Sequence, residues 1–229
     1  MLNGKPIEKH SVEMRLNPLG WPAGADSDDM LFRPYNNAAG DAQQVYQGFQ
    51  QVVAANANNP ALTEIGQRQA RFDWAEKNLP ALHKQLETVR QRAADATAGA
   101  MKMMTVSFTE PATEPQDIAM LQEVRQWLRG LPENQRAATV VEMARKGDRT
   151  ILRAVLNAPS YLTGVTEDQL MNVREIVAKA DHPERFAKLE LVQRAAEYAE
   201  LACDRVLRYV EQEAMLLGKT PGAATKTAA

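Results

Sequence analysis

The stretch that decides the fold is residues 181–217, DHPERFAKLELVQRAAEYAELACDRVLRYVEQEAMLL. It reads as one unbroken helix. Asp181 with Glu184 three residues later forms a capping pair, and Pro183 is tolerated in the first turn. Gly218 suits the left-handed residue that closes a helix, and Pro221 prevents re-entry. Such a helix is roughly 50 Å long. One apolar row runs through Leu189, Val192, Ala196, Ala199, Cys203, Val206, Val210 and Leu217. A second row, Leu191, Ala195, Tyr198, Ala202 and Tyr209, widens the buried arc. Two rows predict packing against two neighbours, as in a bundle. On the polar side, Glu184–Lys188, Glu190–Arg194 and Asp204–Arg208 have the favourable acid-first order at i, i+4, each worth roughly 0.2–0.5 kcal/mol.

Upstream of this helix, the seam Leu79, Leu82, Leu86, Val89, Ala93, Ala96, Ala100 and Met103 alternates spacings of three and four. That is a heptad pattern ending in small residues, suited either to an intramolecular hairpin or to a coiled coil between chains. Asp41 with Gln44 forms a capping box for a helix to Ala57, and a second helix is expected from Pro60, with Pro80 breaking or kinking the chain. Val106–Thr113 reads as a loop. Thr113 with Gln116 predicts the next helix, to Arg129, and another runs from Pro132 to Lys146, ended by Gly147. Asp148 caps a short helix to Leu156. Thr166 with Gln169 caps one to Ala180.

The first forty residues are different material. Pro6, Pro18, Pro22 and Pro34 alternate with glycines, no helical period survives, and short extended pieces are expected at Val12–Leu16 and Met30–Phe32. The segment nevertheless carries Trp21, Phe32 and Tyr35, which disordered linkers lack. It reads as an arm that packs along a surface, either its own or a neighbour's.

The expected fold is therefore all-α. It comprises an extended arm over 1–40, a helical hairpin with a heptad seam over 41–110, a multi-helix bundle over 111–217 ending in one long helix, and a small-residue tail over 218–229. The expected interaction residues are Trp21, Phe32, Tyr35, Leu189, Val192, Tyr198, Val206, Tyr209 and Val210.

Composition and motifs direct the reading away from chemistry. The 229 residues carry 27 basic and 29 acidic groups, interspersed, with a net charge of −2. A nucleic-acid binder is expected to carry a basic stripe, and the nearest candidate, Arg145, Lys146, Arg149 and Arg153, is interrupted by Asp148. The single cysteine, Cys203, cannot form an internal disulfide and reads as a buried small hydrophobe. No run reaches the roughly 20 apolar residues of a membrane span, and the N-terminus lacks a secretory apolar run. Gly218-Lys219-Thr220 lacks the upstream glycine, preceding strand and following helix of a phosphate loop. Asp26, Asp28 and Asp29 lack the glycine and glutamate of a calcium loop, since Leu31 and Asn37 stand there. His83 with Glu87 is not the two-histidine spacing of a zinc helix. No catalytic, cofactor or metal residue is expected, and the chain is not expected to be an enzyme.

The run DRTILRAVLNAPSYLTGVT, residues 148–166, resembles a segment of helical structural-module proteins of tailed bacteriophages. There too a short helix, an Ala-Pro-x-Tyr-Leu turn, a capped helix and a long charged helix follow one another, so the similarity extends over about residues 130–217. It implies a structural component of the virion, assembled in the host cytoplasm with copies of itself and other virion proteins as partners. Its place would be minor head-associated, internal, or at the portal vertex or ejection apparatus. The resemblance supplies no functional residues. The alternative from the residues alone is a cytosolic adaptor or regulator that binds one protein partner in a groove between its apolar rows.

Overall fold

The computed structural model describes residues 7–17 and 20–215. Among these residues there are nine helices and no strand, so the chain is all-α. The helices are α1 (Lys9–Arg15), α2 (Arg33–Ala57), α3 (Glu64–Thr109), α4 (Pro115–Gly130), α5 (Glu133–Lys146), α6 (Arg149–Leu156), α7 (Ser160–Thr163), α8 (Glu167–Asp181) and the long α9 (Pro183–Met215). The predicted cap at Gly218 and the tail 218–229 lie outside the described residues.

Two compact units form. One joins the described residues up to Ala94 with those from Leu191 onward, and the other is Asp95–Glu190. Both boundaries fall inside a helix, α3 or α9, whereas the sequence-based division placed them in loops near 110 and 40. Loops look like boundaries in sequence because turn residues punctuate them, but a long helix can serve two cores without any local signal.

In the first unit, α2, the first part of α3 and the last part of α9 share a core. The Phe49 ring sits 5.5 Å from that of Trp74 and 6.3 Å from that of Tyr209, so one α2 side chain touches both partner helices. Leu82, Leu86 and Val89 of α3 and Val206 and Val210 of α9 are buried. Polar contacts close the rim, with Arg90 Nε donating to the Glu200 carboxylate at 2.8 Å and His83 Nε2 within hydrogen-bonding distance of Glu211, at 3.0 Å. On the same helix Asp204 pairs with Arg208 at 3.0 Å, as its spacing predicts.

The second unit is a bundle of short helices around Leu128, Val140, Leu152, Val155, Leu170 and Val173. Its connections are set locally. Asp148 Oδ1 accepts from the N–H groups of Thr150 and Ile151, both at 3.1 Å, and starts α6. Thr166 and Gln169 form the expected reciprocal capping box. Gly147 and Gly164 close α5 and α7 in the left-handed conformation, at φ 71° and 70°. Beside this core, Met101 and Met104 of α3 pack with Ala178 and Leu189.

Several local expectations shift. The arm contains a helix, α1, where an extended piece was expected, and residues 30–32 are turn rather than strand. α2 begins at Arg33, eight residues before Asp41. Pro34 occupies its first turn, where a missing N–H costs nothing, and Gly40 is carried inside. α3 begins at Glu64, where Thr63 Oγ1 accepts from Gly66 N–H at 3.2 Å, rather than at Pro60. Its other end runs to Thr109 through the expected loop, and α4 starts behind Glu114 without a side-chain cap.

Pro80 lies inside α3 without ending it. A proline costs a helix interior about 3 kcal/mol. Here buried Leu79 and Leu82 clamp the helix on either side, while the ring itself faces outward. The heptad seam also loses phase. Leu79 to Val89 are buried as predicted, but Met103 is exposed and Met101, Met104 and Phe108 are buried instead. A straight helix drifts about 20° per heptad from a 3.5-residue repeat, so three heptads accumulate about 60°, more than half of the roughly 100° step between residues.

Candidate interaction surface

The predicted interaction residues have mostly been used up by the chain itself. Leu189, Val192, Val206, Tyr209 and Val210 are core residues, and so are Phe32 and Tyr35, each only 3% exposed. Side chains already out of water in the single chain have little further apolar area to offer a partner. Phe32 and Tyr35 belong to the start of α2 rather than to an irregular segment, Phe32 as the residue before it and Tyr35 in its first turn. Tyr209 packs against Tyr46, with ring centroids 5.7 Å apart. Burial raises the Tyr35 and Tyr209 hydroxyls above their ordinary pKa. Trp21 and Tyr198 remain half-buried and meet each other edge-on, centroids 5.6 Å apart.

The groups with intrinsic reactivity are restrained in the same way. Cys203 is fully buried, its Sγ 3.5 Å from the Ala38 carbonyl oxygen. Burial first, and then Asp41 and Asp204, push its thiol up to about 12. Among the described residues no group of three or more histidine, cysteine or acidic side chains is arranged to hold a metal ion. No helix there is long and apolar enough to cross a membrane.

What the second unit leaves exposed is apolar surface on α4. Leu121 and Leu128 bury one face, with Val124 and Arg125 half-buried beside them. Arg125 Nε donates to the Ala154 carbonyl at 2.8 Å, at the end of α6, and its partial burial lowers the guanidinium pKa. This bond and the buried leucines fix the rotation of α4. Met120 and Trp127 are therefore held outward, 40% and 46% exposed. They lie seven residues apart, two helical turns, on one stripe with Glu123 between them. Tyr161, 76% exposed, sits on α7, which packs against α4 and is tied to it by Arg129 Nη1 donating to Leu162 O at 2.7 Å.

The sequence reading located α4 but passed over Met120 and Trp127. The signal was their phase, one residue before Leu121 and Leu128, which puts two large apolar groups beside the buried stripe rather than within it. No family model, curated protein or solved structure matches this chain.

Proposed function

We propose that this protein is a non-enzymatic structural component of a bacteriophage particle, joined to its neighbours through the exposed stripe of α4. The observation that carries the binding role is the Met120–Trp127 pair, held outward by a helix whose other face is anchored. Apolar groups at i and i+7 are the anchors by which an amphipathic helix enters a partner's groove. Tryptophan is also the residue most enriched where interfaces concentrate their binding energy. The partner it fits is an apolar groove with a hydrogen-bond donor or cation opposite Glu123, on another copy of the chain or on another virion protein.

The phage setting rests on the resemblance of residues 148–166, which span α6, α7 and the cap of α8. The arm, expected to reach a neighbour, takes no part in this reading, because Phe32 and Tyr35 are buried in its own unit and Trp21 is half-buried against Tyr198. A minor head-associated, internal, portal-vertex or ejection role suits it equally. Mass spectrometry of purified particles tests the proposal. The chain should be found in them at a fixed stoichiometry. Its absence, together with one-to-one binding of a single soluble protein, would favour the adaptor reading instead.

A further inference from the structure

In the first unit a cleft of about 600 Å³ lies between α2 and the segment that precedes it, closed on one side by Gln85 of α3 and Tyr198 of α9. That volume falls within the roughly 300–1,000 Å³ of small-molecule sites. Five carboxamides line it, those of Asn36, Asn37, Gln43, Gln44 and Gln85. None of the five makes a side-chain hydrogen bond to another described residue. Each offers both donors and an acceptor, without charge. Among the described residues that line it, Asp41 is the only ionisable side chain besides the tyrosine and none is a cation, so they offer an anion no counter-charge.

The aromatic side of the cleft is complementary. Trp21 spends its indole N–H on the Ala25 carbonyl at 2.7 Å, and Tyr198 spends its hydroxyl on the Asn17 carbonyl at 3.0 Å. What remains of both is ring surface. Gly40, also on the wall, sits inside α2, where glycine costs about 1 kcal/mol against alanine. No neighbour accounts for it, because a Cβ there would meet nothing within 4 Å. Its effect is to lower the floor of the cleft to the helix backbone.

We infer that this cleft binds a neutral saccharide. A sugar ring presents an apolar C–H face and a rim of hydroxyls that both donate and accept. Aromatic surface matches the first and uncharged carboxamides match the second. The inference is independent of the α4 proposal and involves a different unit of the chain.

The test is protein-observed NMR of the full chain, following the Trp21 indole N–H while maltose, cellobiose and N,N′-diacetylchitobiose are added separately, with inorganic phosphate as the anionic control. At least one disaccharide should shift that signal saturably, and phosphate should not. The double variant Gln44→Ala/Gln85→Ala should weaken binding by about tenfold or more. Gly40→Leu, which has room to fold, should abolish it by filling the floor. Unchanged thermal unfolding of the two variants confirms that the fold is kept. Failure of all three sugars, an equal response to phosphate, or binding that survives in both variants would overturn the inference.

Discussion

Trp21 stands edge-on against Tyr198, ring planes at 88°, and so joins the segment before α2 to the long helix α9 within one unit. Elsewhere in the same unit, the Ile7 N–H donates to Gln212 Oε1 at 2.8 Å, and the Tyr46 hydroxyl donates to Glu13 Oε1 at 3.1 Å. The arm is thus part of its own unit's packing. Phe32→Ala should destabilise the isolated protein by about 3–5 kcal/mol, the range for truncating a buried aromatic. Chemical denaturation measures this directly. A loss below about 1 kcal/mol would mean the arm contributes no core.

Asp148→Ala should cost about 1 kcal/mol, since it leaves the Thr150 and Ile151 N–H groups without their cap. Asp148→Asn, which keeps an accepting oxygen, should recover most of that loss. Equal effects from the two variants would show that the charge matters and not the hydrogen bonds.

The two left-handed glycines should respond unequally to alanine. Gly147→Ala meets nothing within 4 Å, so its cost is backbone strain alone, roughly 1–2 kcal/mol. At Gly164 an added Cβ would lie 2.6 Å from Arg136 Nη1. That guanidinium is held by Leu131 O and Arg129 O, both at 3.0 Å, so it yields only by giving up bonds. Thermal unfolding should therefore rank Gly164→Ala below Gly147→Ala, and the reverse order would show Arg136 to be free to move.

Stability should fall in alkali. Burial raises Tyr35, Tyr46, Tyr198 and Tyr209 above 10.0 and takes Cys203 from 9.0 to about 12. The folded chain therefore keeps protons that the unfolded chain releases. The stability these groups contribute is whole below pH 9.0 and is lost as pH rises towards about 12. Melting temperature followed from neutral pH to about pH 11 should drop progressively, with a later onset in Cys203→Ala. A flat profile would contradict the assignment.

How much of this was legible in the sequence varied with the kind of signal. Asp148, Thr166 with Gln169, and Gly147 each act within four residues, and each sits where local chemistry placed it. The two apolar rows of α9 also read correctly as buried, through residues such as Val192, Ala195, Val206 and Tyr209. What covers a row is a tertiary fact, however. Whether Phe32 meets a neighbour or its own unit does not depend on adjacent residues. Gly40 and Pro80 misled for the same reason, since packing at Ala42, Leu79 and Leu82 outweighs their local preference, whereas Pro34 suits the first turn it occupies. The amide-lined cleft had no linear signal, because Trp21, Gln44, Gln85 and Tyr198 come from four separate segments.

Particle incorporation of Trp127→Glu, in cells where only the variant is supplied, tests the central claim most directly. Trp127 is already half in water, so the change should leave helical content and melting temperature close to those of the wild type. The account predicts a folded protein that is missing from purified particles. A Trp127→Glu chain incorporated at the wild-type level would contradict it.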